Sequence, residues 1–185
     1  MNDREINILE TAFGLFLRYG VKRTAMNDIA AEAGIARQTL YNAFSNKDDV
    51  LRAMIRLFTE RAIAEIEAGL ETRSDLGERL DLIFEHIAVR PFETLNVSPN
   101  AADIIDGMNS TSRDEIIASA KTFRGIVERV LGDYEDQLAA KGHTIGVLSE
   151  LIHLAAAAAK SEARDRAQLD TLLAELRQMV LNAIA

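Results

Sequence analysis

Cysteine is absent from this chain of 185 residues, and proline occurs only at positions 91 and 99. Without cysteine the chain forms neither disulfide bonds nor cysteine-based metal sites. Scarce proline and the lack of alternating β-branched residues favour helices over strands. No run of about 18 apolar residues is present, so we expect no membrane-spanning segment. The charged opening stretch, MNDREINILE, is unlike a signal peptide, which predicts a cytoplasmic protein.

Sequence motifs of common enzyme classes are missing as well. The chain has no P-loop, no G-x-G-x-x-G and no G-x-S-x-G. Glu150 and His153 form one E-x-x-H, the ligand unit of di-iron helical bundles, although a second unit is missing. We predict a protein that is not an enzyme and has no catalytic residue, cofactor or metal. A metal-binding helical-bundle enzyme stays open as an alternative.

The net charge of −8 is unevenly distributed along the chain. Residues 18–47 contain five basic and two acidic side chains, a local balance of +3 that leaves −11 for the remainder. The basic residues are Arg18, Lys22, Arg23, Arg37 and Lys47, and the acidic residues are Asp28 and Glu32. A basic region on an acidic body suits a protein that contacts nucleic acid with one end only.

Hydrophobic spacing predicts an all-α chain of about nine helices. Asn2 and Glu5 start a helix over residues 3–19, and Gly20 ends it. Thr24 is expected to cap the second helix. Later segments are assigned in the same way: helices over about 37–44, 47–69, 75–90, 112–140, 144–163 and 167–184, a loop from Arg90 to Pro99 after a helix that stops before Pro91, and a short helix around Ile104.

The segment from Ile29 to Lys47, IAAEAGIARQTLYNAFSNK, predicts two short helices around a tight turn at Gly34. A helix-turn-helix lays its second helix in the major groove of DNA while the first helix crosses the backbone. Leu40 and Phe44 occur where the second helix needs an inner anchor. Its outer face then carries the donors and acceptors of Arg37, Gln38, Thr39, Tyr41 and Asn42.

Geometry suggests contacts for most of these side chains. Arg37 lies at the helix start, where it can reach the paired acceptors of guanine, and Gln38 can read adenine or contact the backbone. Four residues are positioned to reach phosphates, through a side chain or through the open N–H groups of a helix start: Thr24, Thr39, Tyr41 and Lys47.

About the first 55 residues resemble the N-terminal domain of the TetR/AcrR regulators. The matching positions are Leu15 to Gly20, Thr24, Ile29, Ala30, Ala33 to Ile35, Thr39 to Tyr41, Phe44 and Lys47. The resemblance implies base contacts by Arg37, Gln38 and Asn42, and phosphate contacts by Thr24, Thr39, Tyr41 and Lys47. Ala43 departs from the pattern, because many members carry histidine there, and this weakens any phosphate contact at that position.

The resemblance also implies the organisation and the partners of the protein. Residues 1–46 would form the helix-turn-helix DNA-binding domain, and residues 47–185 would form a helical ligand-binding and dimerisation domain. The expected partners are a double-stranded DNA operator of pseudo-palindromic sequence, a second copy of the chain and a small-molecule effector, without a membrane. The usual outcome in the family is a repressor that the effector releases from DNA by a shift in conformational population.

Candidate pocket residues are the large side chains of the middle helices, although such residues are commonly core: Phe58, Phe84, Ile87, Phe92, Met108, Phe123 and Tyr134. His86 and His153 are candidate polar groups of the pocket. Candidate dimer residues form two apolar stripes near the end of the chain: Leu148, Leu151, Ile152, Ala155, Ala159, Leu172, Leu173, Leu176 and Val180. Two alternatives stay open: that these stripes complete the monomer's own core, and that the helical body binds a protein partner instead of a small molecule.

Overall fold

The computed structural model describes residues 1–96 and 98–185, and every regular element in that part of the chain is helical. The prediction of an all-α fold is therefore confirmed. The α-helices are, in chain order, α1 (Asp3–Tyr19), α2 (Met26–Glu32), α3 (Arg37–Ala43), α4 (Lys47–Leu70), α5 (Leu76–Phe84), α6 (Arg90–Asn96), α7 (Ala101–Thr111), α8 (Arg113–Leu131), α9 (Glu135–Ala140), α10 (Ile145–Glu162) and α11 (Arg166–Ile184).

Helical turns of two other types extend these helices. A π-helical turn, Glu85–Val89, joins α5 to α6, and a 3-10 turn, Gly132–Tyr134, joins α8 to α9. The described residues thus form nine continuous helical stretches, which agrees with the sequence prediction. The predicted loop from Arg90 to Pro99 and the predicted helix end before Pro91 are wrong, because α6 begins at Arg90. Proline needs no backbone N–H in the first turn of a helix, and the π-helical turn changes the register just before it.

Two compact units divide the chain. The first is formed by Met1–Glu60 and Leu95–Ser119, and the second by Arg61–Thr94 and Ala120–Ala185. Neither unit is continuous in sequence. The functional boundary between residues 46 and 47 stays a prediction, because compact packing does not measure function.

Local chemistry explains the first helix of the first unit. Asn2 Oδ1 accepts the N–H of Glu5 at 2.9 Å, and the Glu5 carboxylate accepts the N–H of Asn2 at 3.0 Å. This reciprocal capping box satisfies two open donors of the helix start, as the sequence predicts. Gly20 ends α1 with a φ of +87°, a conformation that favours glycine. The buried face of α1 consists of Ile8, Leu9, Ala12, Leu15 and Phe16.

One apolar core unites the helices of the first unit. Helix α1 packs against α2 and α7, and α2 packs against α3. Leu40 of α3, Met54 of α4 and Ile104 of α7 are all fully buried in this core. Removing a buried leucine side chain leaves a cavity, so Leu40→Ala would cost about 2–5 kcal/mol of unfolding free energy. Residues 95–119 are therefore a structural part of the unit that carries α2 and α3.

The second unit has its own apolar core. Helix α11 packs against α5, α9 and α10, and α10 also packs against the π-helical turn. Ile66, Leu80, Ile83 and Phe84 are the largest fully buried side chains of this core. Within the described ranges, we find no helix that combines the length and the apolar character needed to cross a membrane.

Candidate functional site

A tight turn joins α2 to α3 and directs α3 away from the end of α2. Gly34 has a φ of +65°, in the left-handed region where other side chains are strained. The Gly34 N–H donates to Ala31 O at 3.2 Å, and the Ile35 N–H donates to Ala30 O at 3.0 Å. These bonds satisfy carbonyl groups at the end of α2. The predicted helix-turn-helix is thus confirmed, with glycine at the position that requires it.

Helix α3 combines one buried anchor with an exposed polar face. Leu40 is fully buried, whereas Arg37, Gln38 and Asn42 are exposed. Gln38 Nε2 donates to Asn42 Oδ1 at 2.8 Å, so the two amides form a pair across one helical turn. The pair still presents an acceptor on Gln38 and donors on Asn42 toward solvent. All three residues predicted to contact bases therefore share one accessible surface.

The four predicted phosphate contacts lie in different environments. Tyr41 is exposed and Thr39 is half-buried beside it on α3. Thr24 is only 2% exposed, and its hydroxyl donates to Gly20 O at 2.7 Å. Ala25, not Thr24, precedes the first residue of α2, and its N–H donates to Asp28 Oδ2 at 2.7 Å. The sequence predictions that the Thr24 side chain caps α2 and is open to a phosphate therefore conflict with its burial and its internal hydrogen bond.

Lys47 also faces inward. Its Nζ donates to Val21 O at 2.5 Å and to Thr24 O at 3.0 Å, and the side chain is partly buried. Both acceptors lie in residues 20–25, which connect α1 to α2 and are called the α1–α2 turn below. The ammonium group therefore fixes this turn, and a phosphate contact by Lys47 would compete with two short hydrogen bonds.

Two more of the basic side chains are paired with acids. Arg18 Nη2 donates to Glu32 Oε1 at 2.6 Å, and this hydrogen bond raises the pKa of Arg18. Lys22 Nζ lies 3.1 Å from Asp103 Oδ1. The positive balance counted in the sequence is therefore smaller at the surface than the residue numbers suggest.

Arg23 and Arg37 are the basic side chains of this region that remain available. Both are exposed, and within residues 1–96 and 98–185 neither has an ion-pair partner. Arg23 lies in the α1–α2 turn and lines a cleft together with Tyr19, Thr24 and Asp28. Sequence reasoning counted Arg23 in the basic segment but assigned it no contact. Its position just before α2, the helix expected to cross the DNA backbone, is the signal that could have identified it.

The predicted pocket residues separate into two groups. Phe58 contacts Phe13 edge to face at a centroid distance of 4.9 Å and packs, like Met108, against the core of the first unit. The other five belong to the core of the second unit or pack against it: Phe84, Ile87, Phe92, Phe123 and Tyr134. An open cleft of about 670 Å³ in the second unit has a polar lining that includes Arg73 and Arg90, and none of the seven contributes to it.

Several polar groups are buried in the second unit. His86 lies in the π-helical turn, where burial lowers its pKa and its Nε2 is 3.9 Å from Glu65 Oε2. Burial also lowers the pKa of His153 and of Lys160 on α10. Ser149 is fully buried one helical turn before His153. Among the described residues, neither Ser149 Oγ nor His153 Nδ1 has a hydrogen-bond partner, which is unusual for buried polar atoms.

The nine predicted dimer residues do not share one surface. Ile152, Ala159, Leu173 and Val180 are buried in the core of the second unit, and Leu148 and Leu176 pack against that core. Leu151, Ala155 and Leu172 are exposed. The exposed apolar side chains on α10 and α11 that the sequence reading did not select are Val147, Leu154 and Met179, with exposed fractions of 60, 56 and 68%.

The E-x-x-H unit is engaged in other contacts. Glu150 Oε1 lies 3.3 Å from Arg124 Nη1, and His153 is half-buried on the same helix. Within the described part of the chain, no cluster of three or more histidine, aspartate or glutamate side chains is arranged to hold a metal ion. The arrangement that di-iron chemistry requires is thus not assembled around this unit.

Comparison with known proteins connects the helix-turn-helix to a family. The family profile described as "Bacterial regulatory proteins, tetR family" matches residues 8–54. The HTH-type transcriptional repressor KstR2 of Mycobacterium tuberculosis is 30% identical over 84 residues, which are 45% of this chain and 42% of that protein. The HTH-type transcriptional repressor ComR of Escherichia coli is 26% identical over 174 residues, or 89% of this chain and 81% of that protein. An uncharacterized HTH-type transcriptional regulator of Bacillus subtilis, YezE, is matched over only 40% of its length.

Solved structures agree over the whole chain. A TetR transcription regulator from Haloarcula marismortui superposes with a TM-score of 0.73 at 19% identity, covering 100% of this chain and 97% of that one. The transcriptional regulator FadR from Bacillus subtilis, solved in complex with stearoyl-CoA, gives a TM-score of 0.70 at 17% identity over 97% and 99% of the two chains. At these identities the likeness establishes the fold alone. Together with the profile match over α1 to α4, it identifies the chain as a member of the TetR family of bacterial regulatory proteins.

Proposed function

We propose that this protein is a DNA-binding transcriptional regulator that represses its target by binding a pseudo-palindromic operator as a homodimer. The observation that carries the proposal is the exposed face of α3, where Arg37, Gln38 and Asn42 stand opposite the buried Leu40. Such a helix can enter the major groove without disturbing the core beneath it. The match to transcriptional repressors in the curated relatives supports the same reading. The DNA partner also supports action in the cytoplasm.

The proposed contacts divide by chemistry. Arg37 reads guanine through its two-pronged donor set, and the linked amides of Gln38 and Asn42 read adenine or a neighbouring base. The hydroxyls of Tyr41 and Thr39 contact phosphates from the same helix. Arg23 is added as a phosphate contact, because it is exposed just before α2.

Thr24 and Lys47 have a different proposed role. Their side chains form the internal bonds of the α1–α2 turn, to Gly20 O from Thr24 and to Val21 O and Thr24 O from Lys47. They would therefore support phosphate binding by fixing the backbone of the turn, rather than by contacting the phosphate themselves.

The proposed effector site lies in the second unit. The predicted pocket residues of that unit supply an apolar lining, while Ser149 and His153 offer buried polar atoms that lack a partner among the described residues. We propose an effector with an apolar body and at least one hydrogen-bonding group. An effector that binds one conformation better than the other would release the protein from DNA by that difference in affinity.

The proposed dimer interface uses the exposed apolar residues of α10 and α11. Val147, Leu151 and Leu154 lie at spacings of four and three residues, so they occupy one side of α10. Leu172 and Met179 extend the apolar surface on α11. Exposed apolar patches of this kind mark association surfaces, and a twofold dimer would present two α3 helices to two half-sites.

The experiment that tests the proposal is selection of bound fragments from a random double-stranded DNA library at near-physiological salt. We expect recovery of a pseudo-palindrome whose half-sites are about one helical turn, or a multiple of it, apart. Binding that depends on salt but not on sequence would contradict the operator proposal. Capture of a stable protein partner, with no DNA selected, would favour the reading in which the helical body binds protein.

A further inference from the structure

The α1–α2 turn is attached to α7 through Asp103. Asp103 Oδ2 accepts the backbone N–H of Lys22 at 2.9 Å, and Oδ1 lies 3.1 Å from Lys22 Nζ. Oδ1 has no hydrogen bond of good geometry within residues 1–96 and 98–185, so its contact with the ammonium group is ionic. The Lys22 side chain is 76% exposed and that of Asp103 only 21% exposed. The backbone hydrogen bond is therefore the firmer of the two contacts, because solvent screens the ion pair.

A second set of bonds attaches the start of α7 to the end of α1. Ser98 Oγ donates to Leu17 O at 2.8 Å, and Asn100 Nδ2 donates to the same oxygen at 3.1 Å. Carbonyl groups in the last turn of a helix have no partner within the helix, so these side chains satisfy an open acceptor. Asp103 continues this attachment by one helical turn, from the end of α1 into the α1–α2 turn.

Close packing accompanies these bonds. A side-chain carbon at Gly107 would lie 3.2 Å from Val21, so α7 approaches the turn as closely as a glycine allows. Ile104, the neighbour of Asp103, is fully buried in the same core as the residues of α1 and α2. The contact between α7 and the α1–α2 turn is thus a packed interface and not an isolated surface ion pair.

The turn determines where α2 begins. Ala25, its last residue, is held by Asp28 from within α2, and α2 packs against α3. Lys47 fixes the carbonyl groups of Val21 and Thr24, while Asp103 fixes the N–H of Lys22 between them. The donors and acceptors of the turn are therefore held from α4 and from α7 at once.

We propose that Asp103 is a positioning residue for DNA recognition, which holds the α1–α2 turn on α7 and thereby fixes how α2 and α3 meet the DNA. This inference rests on the proposed function, and it concerns a residue outside the helix-turn-helix. Its distinguishing feature is the sign of the effect. Asp103 is negative, so removing it would strengthen DNA binding if long-range charge were all that mattered. A positioning role requires the opposite result.

The test compares three variants on the fragment that the wild-type chain selects. D103A removes both contacts, D103N keeps an oxygen acceptor for the Lys22 N–H, and D106N removes one exposed negative charge from the same helix as the matched control. We expect D103A to weaken binding by about tenfold and D103N by about threefold, as expected for losing or weakening a charge-assisted hydrogen bond. D106N should bind as well as the wild type or more tightly.

Two further readouts separate positioning from a loss of fold. Stoichiometric titration gives the active fraction of each variant, and circular dichroism confirms the helical content at the binding temperature. For a positioning role, D103A keeps a full active fraction and the wild-type salt dependence, because no phosphate contact is removed. A D103A affinity equal to or tighter than wild type would overturn the inference, and so would a weaker affinity explained by a reduced active fraction.

The outcomes also separate this inference from the proposed function. A wild-type chain that selects no DNA sequence overturns the proposed function, and the positioning role with it. A wild-type chain that selects an operator, together with a D103A variant that binds it normally, overturns the positioning role alone.

Discussion

Lys47 Nζ donates a hydrogen bond to the carbonyl oxygen of Val21 at 2.5 Å, across 26 positions of sequence. A second bond from the same nitrogen reaches Thr24 O at 3.0 Å. Hydrogen bonds from a charged donor are stronger than neutral ones, and partial burial protects them from competition by water. The lysine that opens α4 is thus committed to the backbone of the α1–α2 turn.

Replacing Lys47 and Arg23 by methionine separates a structural role from a DNA contact. K47M should lower the unfolding free energy by about 1–3 kcal/mol, because two carbonyl groups lose a charged donor. It should leave the salt dependence of DNA binding unchanged. R23M should keep the wild-type unfolding free energy and flatten the salt slope by about 0.9, the value expected for one lost phosphate contact. Chemical denaturation and a salt titration of DNA affinity measure both quantities, and a flatter slope for K47M would restore its phosphate contact.

Arg37→Ala should relax sequence selectivity at one base pair of each half-site. The loss should be about 1–3 kcal/mol for the operator and close to zero for an operator already altered at that base pair. Binding to single-substitution operators by the wild type and the variant measures the difference. Equal losses on all operators would mean that Arg37 contacts phosphate instead of a base.

Leu151→Glu should convert the dimer to a monomer, because a carboxylate would be buried against the partner's apolar surface. Ile117→Glu on α8 is the matched control, since Leu151 and Ile117 are each 57% exposed. Sedimentation velocity over a range of concentrations measures the oligomeric state. A dimeric L151E variant, or a monomeric I117E variant, would contradict the proposed use of α10.

Gly20→Ala and Gly14→Ala should change stability in opposite directions. Gly20 has a φ of +87°, and an added side-chain carbon would lie 2.7 Å from Asp103 Oδ2, so we expect a loss of about 1–3 kcal/mol. Gly14 lies within α1 with no atom in the way, so alanine there should add about 0.5–1 kcal/mol. Urea denaturation of both variants provides the test, and a neutral G20A would show that α7 can yield at this point.

His86 should make folding stability depend on mildly acidic pH. Burial, and then Arg90, lowers the pKa of His86 below its ordinary value of 6.5, so the unfolded chain binds the proton more tightly. The stability contributed by neutral His86 is present above that value and is lost as the pH falls below it. H86Q should therefore show a smaller fall in unfolding free energy between about pH 7.5 and about pH 5.5. His153 acts in the same direction, so some dependence should remain.

Exposed His143, in the connection between α9 and α10, provides the control for this measurement. H143Q should reproduce the wild-type pH dependence. A wild-type profile in H86Q would mean that the ring gains its proton without cost, through local opening of the π-helical turn.

Short-range patterns accounted for α1 to α3 because their ends are written in neighbouring residues. The capping box of Asn2 and Glu5 and the positive φ of Gly34 are both local features, and the sequence predicted each position. Pro91 misled the prediction, since its tolerance depends on the π-helical turn before it, which no periodicity signals.

Long-range contacts could not be predicted in this way. The bond between Asp103 and Lys22 joins residues 81 positions apart, and no local pattern identifies such a pair. The orientation of α10 was equally hidden. Five consecutive alanines, from Ala155 to Ala159, make most of its faces apolar, so spacing alone did not distinguish the buried Ile152 from the exposed Leu154.

The first unit draws its core from both sides of a long insertion, and this determines when it can be completed during synthesis. Residues 61–94 must leave the ribosome before Ile104 is available to the core that holds Leu40 and Met54. Until then the nascent helix-turn-helix lacks a fully buried side chain and the bonds of Ser98, Asn100 and Asp103 to its first turn. The emerging chain would therefore acquire a competent DNA-reading surface only after more than half of its length has been translated.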